Sequence, residues 1–136
     1  MSPRDWRDRI RDILDAIAEI QQFTRGMDYV TFKEDDKSIR AVEMNFIIIG
    51  EAANQIPEEV EEKYTAIPWT LMRAMRNRIV HVYFKVDEKL MWDTIQTDLP
   101  PLISRTRKIA LISSFIIHPY GQTSSQSLPL PRPRGP

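Results

Sequence analysis

The stretch Val42-Glu43-Met44-Asn45-Phe46-Ile47-Ile48-Ile49 restricts the folds open to this chain more than any other segment. Taken alone, Phe46–Ile49 has the local preference of a strand. The flanks Arg40-Ala41 and Glu51-Ala52-Ala53-Asn54-Gln55 are helix formers without turn signals, so the whole run is expected to be helical. On a helix its apolar residues fall on nearly all sides. Such a helix must be covered on two faces, either as the central helix of a bundle or as one shared between the core and a second copy of the chain. Gly50, Ala52 and Ala53 offer small side chains for the close approach of a neighbouring helix.

The rest of the chain supports a bundle. After a helix start at Ser2-Pro3, residues Trp6, Ile10, Ile13, Leu14, Ile17 and Ile20 recur at three- and four-residue steps. The opposite face carries Arg7, Asp8, Arg11, Asp12, Asp15 and Glu19, a solvated charge stripe, and Gly26 follows the helix end. A second, longer helix is expected from Thr31 to Ile56, with Asp35 or Asp36 near its positive end. Pro57 stops it and opens a short acidic helix, Glu58 to Tyr64; Pro68 opens the next, Trp69 through Val80. Phe84-Lys85-Val86 reads as a turn and Asp87 as an N-cap for a helix through Leu99. Pro100-Pro101 then interrupts it and allows a kink, with helix resuming to about Leu111.

No convincing strand pattern and no internal repeat is present. The expected fold class is all-α, a compact up-and-down bundle of four to five helices in a domain spanning residues 1–118. Residues 119–136 hold five of the ten prolines, two arginines and no acidic residue, and read as a disordered Pro/Ser-rich tail.

Composition bounds the chemistry. A chain of 136 residues fits one domain with a real core. Nineteen basic residues balance nineteen acidic ones, which argues against nucleic-acid binding by bulk charge but leaves room for a local basic patch. The chain has no cysteine, so disulfides, thiolate catalysis and cysteine-ligated metals are excluded. Two histidines and no ligand-spaced cluster make a dedicated metal or cofactor site unexpected. No run approaches the roughly 18 apolar residues of a membrane span, and no signal segment opens the sequence, so a cytoplasmic protein is expected.

The chemistry-bearing segment is Arg76-Asn77-Arg78-Ile79-Val80-His81-Val82-Tyr83, an R-x4-H-x-Y pattern. Arginine clamps phosphate oxygens with a planar fork, histidine exchanges protons near neutral pH, and a phenol positions phosphate or is itself modified. These groups suffice for metal-free phosphodiester chemistry. The alternative is an amphipathic helix end with a basic face. Arg73, Asn77 and His81 share one stripe, whereas Arg76 lies about 140° round from His81. One helix therefore cannot aim Arg76 and His81 at the same phosphorus. Either the helix ends near His81 or a second copy supplies the partner.

The run Met75–Phe84 with Val86-Asp87, Met91-Trp92-Asp93-Thr94-Ile95 and Asp98-Leu99-Pro100-Pro101-Leu102 resembles the HepT-like (DUF86) branch of the HEPN superfamily. Ile49-Gly50-Glu51-Ala52-Ala53-Asn54 and the opening Asp-Ile-Leu-Asp-Ala-Ile helix fit the same branch, and the resemblance covers roughly residues 5–111. It implies a homodimer whose two R-x4-H motifs form a metal-independent RNA-cleaving cleft, with Arg76 and His81 as catalytic residues. It also implies a toxin paired with a minimal nucleotidyltransferase antitoxin that transfers AMP to Tyr83. Asn77 is the polar residue usual after the motif arginine; Arg73 and Arg78 would widen the positive footprint, and His118 is incidental. The competing expectation is a non-catalytic module that docks to a nucleotidyltransferase or binds a nucleotide.

Overall fold

The computed structural model describes residues 5–80 and 87–114, with side chains described for 5–77 and 87–112. In order these form α1 (Trp6–Thr24), α2 (Tyr29–Glu34), α3 (Asp36–Asn54), α4 (Glu58–Lys63), α5 (Trp69–Val80), α6 (Glu88–Asp93), a π-helical turn (Thr94–Asp98) and α7 (Leu99–Ser114). No strand occurs among the described residues. The fold is all-α, as expected. Four longer helices, α1, α3, α5 and α7, form the bundle, and the three six-residue helices connect or flank them. The turn assigned to Phe84-Lys85-Val86 and the tail beyond Pro119 lie outside the described residues, as does the helix start at Ser2-Pro3.

Helix α3 is the centre. It packs on α1 along one flank and on α5 along another, while α7 covers α1. The apolar stripe of α1 is sealed: Ile10, Ile13, Ile17 and Ile20 are at most 1 % exposed. From α3, Ile39, Val42, Phe46, Ile49, Ala52 and Ala53 enter the same core, joined by Met72 and Met75 of α5 and by Leu99, Leu102 and Ile109 of α7. Each fully buried Ile, Leu or Met contributes about 2 kcal/mol relative to exposure, which is how so few long helices hold together. Asn45, buried among them, satisfies its amide by donating to the Ala41 carbonyl at 3.0 Å.

One expected helix is two. The run from Thr31 to Ile56 breaks at Asp35, whose backbone is extended. Its carboxylate accepts from the Ser38 amide (3.2 Å) and hydroxyl (2.8 Å), so Asp35 caps α3 and ends continuity with α2. Helix formers on both sides hid this break, because capping competes with helix continuation and tertiary packing decides between them. The decisive packing is Phe32: it is fully buried, with its ring 5.3 Å from that of Trp92, and this turns α2 toward α6.

Aspartate caps recur elsewhere, at the expected Asp87 and at two positions the sequence pattern did not mark. Asp5 caps α1 through the Arg7 amide, Asp28 caps α2 through the Thr31 amide, and Asp87 caps α6 through the Leu90 amide. Gly26, with φ of 76°, takes the left-handed conformation that lets the chain leave α1. At Pro100-Pro101 the helical path is not interrupted. The adjustment falls just upstream, where the Leu99 amide donates to the Thr94 carbonyl five residues back. Prolines bring no N–H, so carbonyls one turn earlier lose their α-helical partners, and a widened turn redistributes those that remain. The Thr94 hydroxyl also donates to the Leu90 carbonyl at 2.8 Å.

The caps predict an acid response. The Thr31 amide holds the Asp28 carboxyl below its ordinary value of 3.8, and the Ser38 hydroxyl does the same for Asp35. Both folded-state values are depressed, so this stabilisation is complete above pH 3.8 and is lost as the pH falls below it. Asp28→Asn with Asp35→Asn keeps a capping oxygen that does not titrate. The double variant should melt near wild type at neutral pH and show a shallower decline on acidification, measured by circular dichroism melts across the pH range.

Candidate active site

Helix α5 carries the described part of the motif. It is anchored at its start by Trp69, which is buried and donates its indole N–H to the Tyr64 carbonyl at 3.1 Å. Met72 and Met75 then face the core, which turns Arg73, Arg76 and Asn77 toward the surface. His81 and Tyr83 lie outside the described residues, and for Arg78 only the backbone is described.

The two described arginines of α5 each meet a glutamate from another helix. Arg73 forms an ion pair with Glu61 of α4, Nη1 to Oε1, with a second contact of 3.4 Å between Nη2 and Oε2. This two-point contact ties α4 to α5, and it pairs a charge that the sequence offered to the substrate footprint. Arg76 forms its ion pair with Glu51 of α3 through Nε, 2.7 Å from Oε1. Both partners of this pair are close to half exposed, 43 % and 49 %. An exposed pair contributes only about 0–1 kcal/mol to stability, so its importance is geometric. Asn77 is exposed beside Arg76 and has no described role in the packing.

Beneath the arginine lies Gly50. A Cβ built there would sit 2.5 Å from the Arg76 Cβ and 3.1 Å from its backbone nitrogen. Glycine is therefore what allows α3 and α5 to touch backbone to backbone at this residue, as the small-residue run at 50–53 predicted. The adjoining α3 surface is an open groove of about 310 Å³ lined by Arg9, Asp12, Ile47, Ile48, Glu51, Ala52 and Gln55. Glu51 belongs to both features, so the groove wall and the arginine share one carboxylate. On the same helix Met44 (57 %) and Ile48 (37 %) are exposed apolar residues. The all-round apolar helix is thus buried on two faces in the single chain and uncovered on the third.

The sequence singles out Arg76, Asn77 and Gly50 but does not mark Glu51 and Glu61 as partners of the arginines. Both are glutamates in ordinary helix-surface positions, and no local pattern distinguishes them. Only the crossing of α3 and α4 with α5 brings them to the motif.

An all-α bundle with a motif arginine presented from a central helix contact defines a class, and comparison with known proteins fixes the family. The family model described as ribonuclease HepT-like matches residues 13–109. A Thermococcus cleftensis protein named "Probable ribonuclease HepT" is 37 % identical over 106 residues, covering 78 % of this chain and 96 % of that protein. "Putative RNase MJ0127" of Methanocaldococcus jannaschii is 32 % identical over 109 residues, covering 80 % and 90 % of the two chains. "Putative RNase TTE0752" of Caldanaerobacter subterraneus is 30 % identical over 108 residues, covering 79 % and 94 %. No solved structure matches. The chain belongs to the HepT-like family of the HEPN superfamily.

Gly50→Ala should force α3 and α5 apart at Arg76, because the obstructing atom is the fixed root of a side chain. The expected cost is about 1–3 kcal/mol, read as a melting temperature lower by several degrees. A variant that melts like wild type would show that the contact is looser than described.

Proposed function

We propose that this protein is a metal-independent endoribonuclease toxin that cleaves RNA through Arg76 and His81 at a cleft between two copies of the chain. The observation that carries the reading is the presentation of Arg76: half exposed, seated on Gly50, and paired with Glu51 of α3, a helix that leaves Met44 and Ile48 uncovered. Membership of a ribonuclease family gives this arrangement its chemistry.

His81 takes the proton from the RNA 2′-hydroxyl, whose oxygen attacks the neighbouring phosphorus. The bond to the 5′-oxygen breaks, and an imidazolium returns a proton to that leaving oxygen. Arg76 stabilises the charge that grows on the phosphoryl oxygens. Asn77 binds phosphate or orients the imidazole, and Arg78 and Arg73 extend the positive footprint, Arg73 less so because Glu61 pairs its charge. Because Arg76 and His81 diverge on an ideal helix, a two-fold dimer supplies the opposing motif. Met44 and Ile48 give such a dimer an apolar contact face. A minimal nucleotidyltransferase antitoxin silences the site by transferring AMP to Tyr83, placing negative charge and bulk where RNA phosphate binds.

The second reading, a non-catalytic module that docks to a nucleotidyltransferase or binds a nucleotide, draws on the equal numbers of basic and acidic residues and on the two glutamate-paired arginines. One assay separates the two. Purified protein in EDTA should degrade bulk RNA but not DNA, and Arg76→Ala or His81→Ala should each lower the rate by about 100-fold or more. Full activity in either variant, or no cleavage by wild type, would remove the enzyme reading.

Tyr83→Phe keeps the ring and removes the acceptor oxygen. With ATP and the cognate nucleotidyltransferase, intact-mass analysis should find AMP-sized additions on wild type and none on this variant. Equal additions on both would place the modification elsewhere.

A further inference from the structure

The geometry points to Glu51 as the positioning residue for Arg76: its carboxylate holds the Nε edge and sets the guanidinium for substrate phosphate. The inference deepens the proposed function and rests on Arg76 being the phosphate-clamping residue there.

Two contacts from consecutive residues of α3 fix the arginine in stages. Gly50 fixes its root, since the backbone of α3 lies against the Arg76 Cβ with no room for an intervening atom. Beyond Cβ an arginine has several free torsions, and a half-exposed one samples many rotamers unless something holds it. Glu51 supplies that hold through the 2.7 Å contact of Oε1 with Nε. The contact is an ion pair on the Nε side of the guanidinium, the side that carries one of its five N–H donors. The four others sit on the terminal nitrogens, the fork that matches two phosphate oxygens. A carboxylate that engaged the terminal nitrogens would compete directly with phosphate, whereas one engaging Nε orients the group and leaves the fork for substrate. Arg73 is the internal contrast: its terminal nitrogens meet Glu61, the pattern of a structural tie.

A carboxylate beside a phosphate site also repels substrate. Pure charge effects would therefore make neutral variants faster or tighter-binding, and positioning would make them slower. Steady-state RNA cleavage should be measured for wild type, Glu51→Gln, Glu51→Ala, Arg76→Ala and Arg76→Lys, with Glu51→Ala also in the Arg76→Lys background. Glu51→Ala is expected to lose kcat on the order of 100-fold, the scale on which a displacement of about 1 Å costs a reacting group. KM should change little. Glu51→Gln keeps the length and an acceptor oxygen, so it should recover part of the loss; it also carries the test if Glu51→Ala melts early. A lysine has no Nε edge to hold, so in the Arg76→Lys background Glu51→Ala should cause no further loss.

Wild-type or faster cleavage by both Glu51 variants, with Arg76→Ala inactive, would overturn the positioning role and leave the function standing. So would a full additional loss in the Arg76→Lys background. Wild-type cleavage by Arg76→Ala itself would instead remove the reading on which the inference rests.

Discussion

The close approach of α3 and α5 at Gly50 is the constraint on which the rest of the structure depends. Side chains normally hold helix axes 8–10 Å apart. At Gly50 there is no Cβ, and the Arg76 Cβ and backbone take the space. That one crossing does two things together. It lets Ile49 and Ala53 of α3 and Met72 and Met75 of α5 share one core, and it plants the root of the motif arginine on a rigid surface. Core and candidate site are therefore built from the same contact. A residue that is exposed enough to meet substrate is positioned by one that is buried.

Around that contact, acidic residues arrange the cationic ones. Glu61 binds Arg73 through its terminal nitrogens and joins α4 to α5, while Glu51 meets Arg76 through Nε. The same charge pairing has different consequences because different edges of the guanidinium are used. The half-exposed Arg76–Glu51 pair contributes little to stability, so its value lies in orientation. This is how a chain with no surplus of positive charge presents a local cation: neighbouring glutamates direct it instead of additional lysines and arginines reinforcing it.

The periphery follows from local backbone demands. Aspartates at Asp5, Asp28, Asp35 and Asp87 satisfy the amides of helix starts, and three of these starts belong to the helices that are short or abruptly turned. The turn at Thr94–Asp98 absorbs the donors that Pro100 and Pro101 lack, so the chain passes from α6 into α7 without leaving a helical path. That continuity carries Leu99, Leu102 and Ile109 into the core beside α1.

Much of this was legible in the sequence. The stripe Ile10–Ile13–Ile17–Ile20, the central status of the 42–49 run, the small-residue contact at Gly50 and the Asp87 cap all follow from periodicity and side-chain chemistry. These properties act within a few residues along the chain. The R-x4-H-x-Y string placed Arg76 and Asn77 on a helix, and with the surrounding blocks indicated the family. The sequence did not separate α2 from α3, because helix formers on both sides of Asp35 are locally compatible with one helix; burial of Phe32 against Trp92 decides otherwise. Nor did it mark the proline junction as a π turn, since that is a compromise between missing donors and continued packing. Above all it could not pair Glu51 with Arg76 or Glu61 with Arg73. Composition and spacing determine which residues can carry charge to the surface, but only the crossing of helices distant in sequence decides which charges meet, and by which edge.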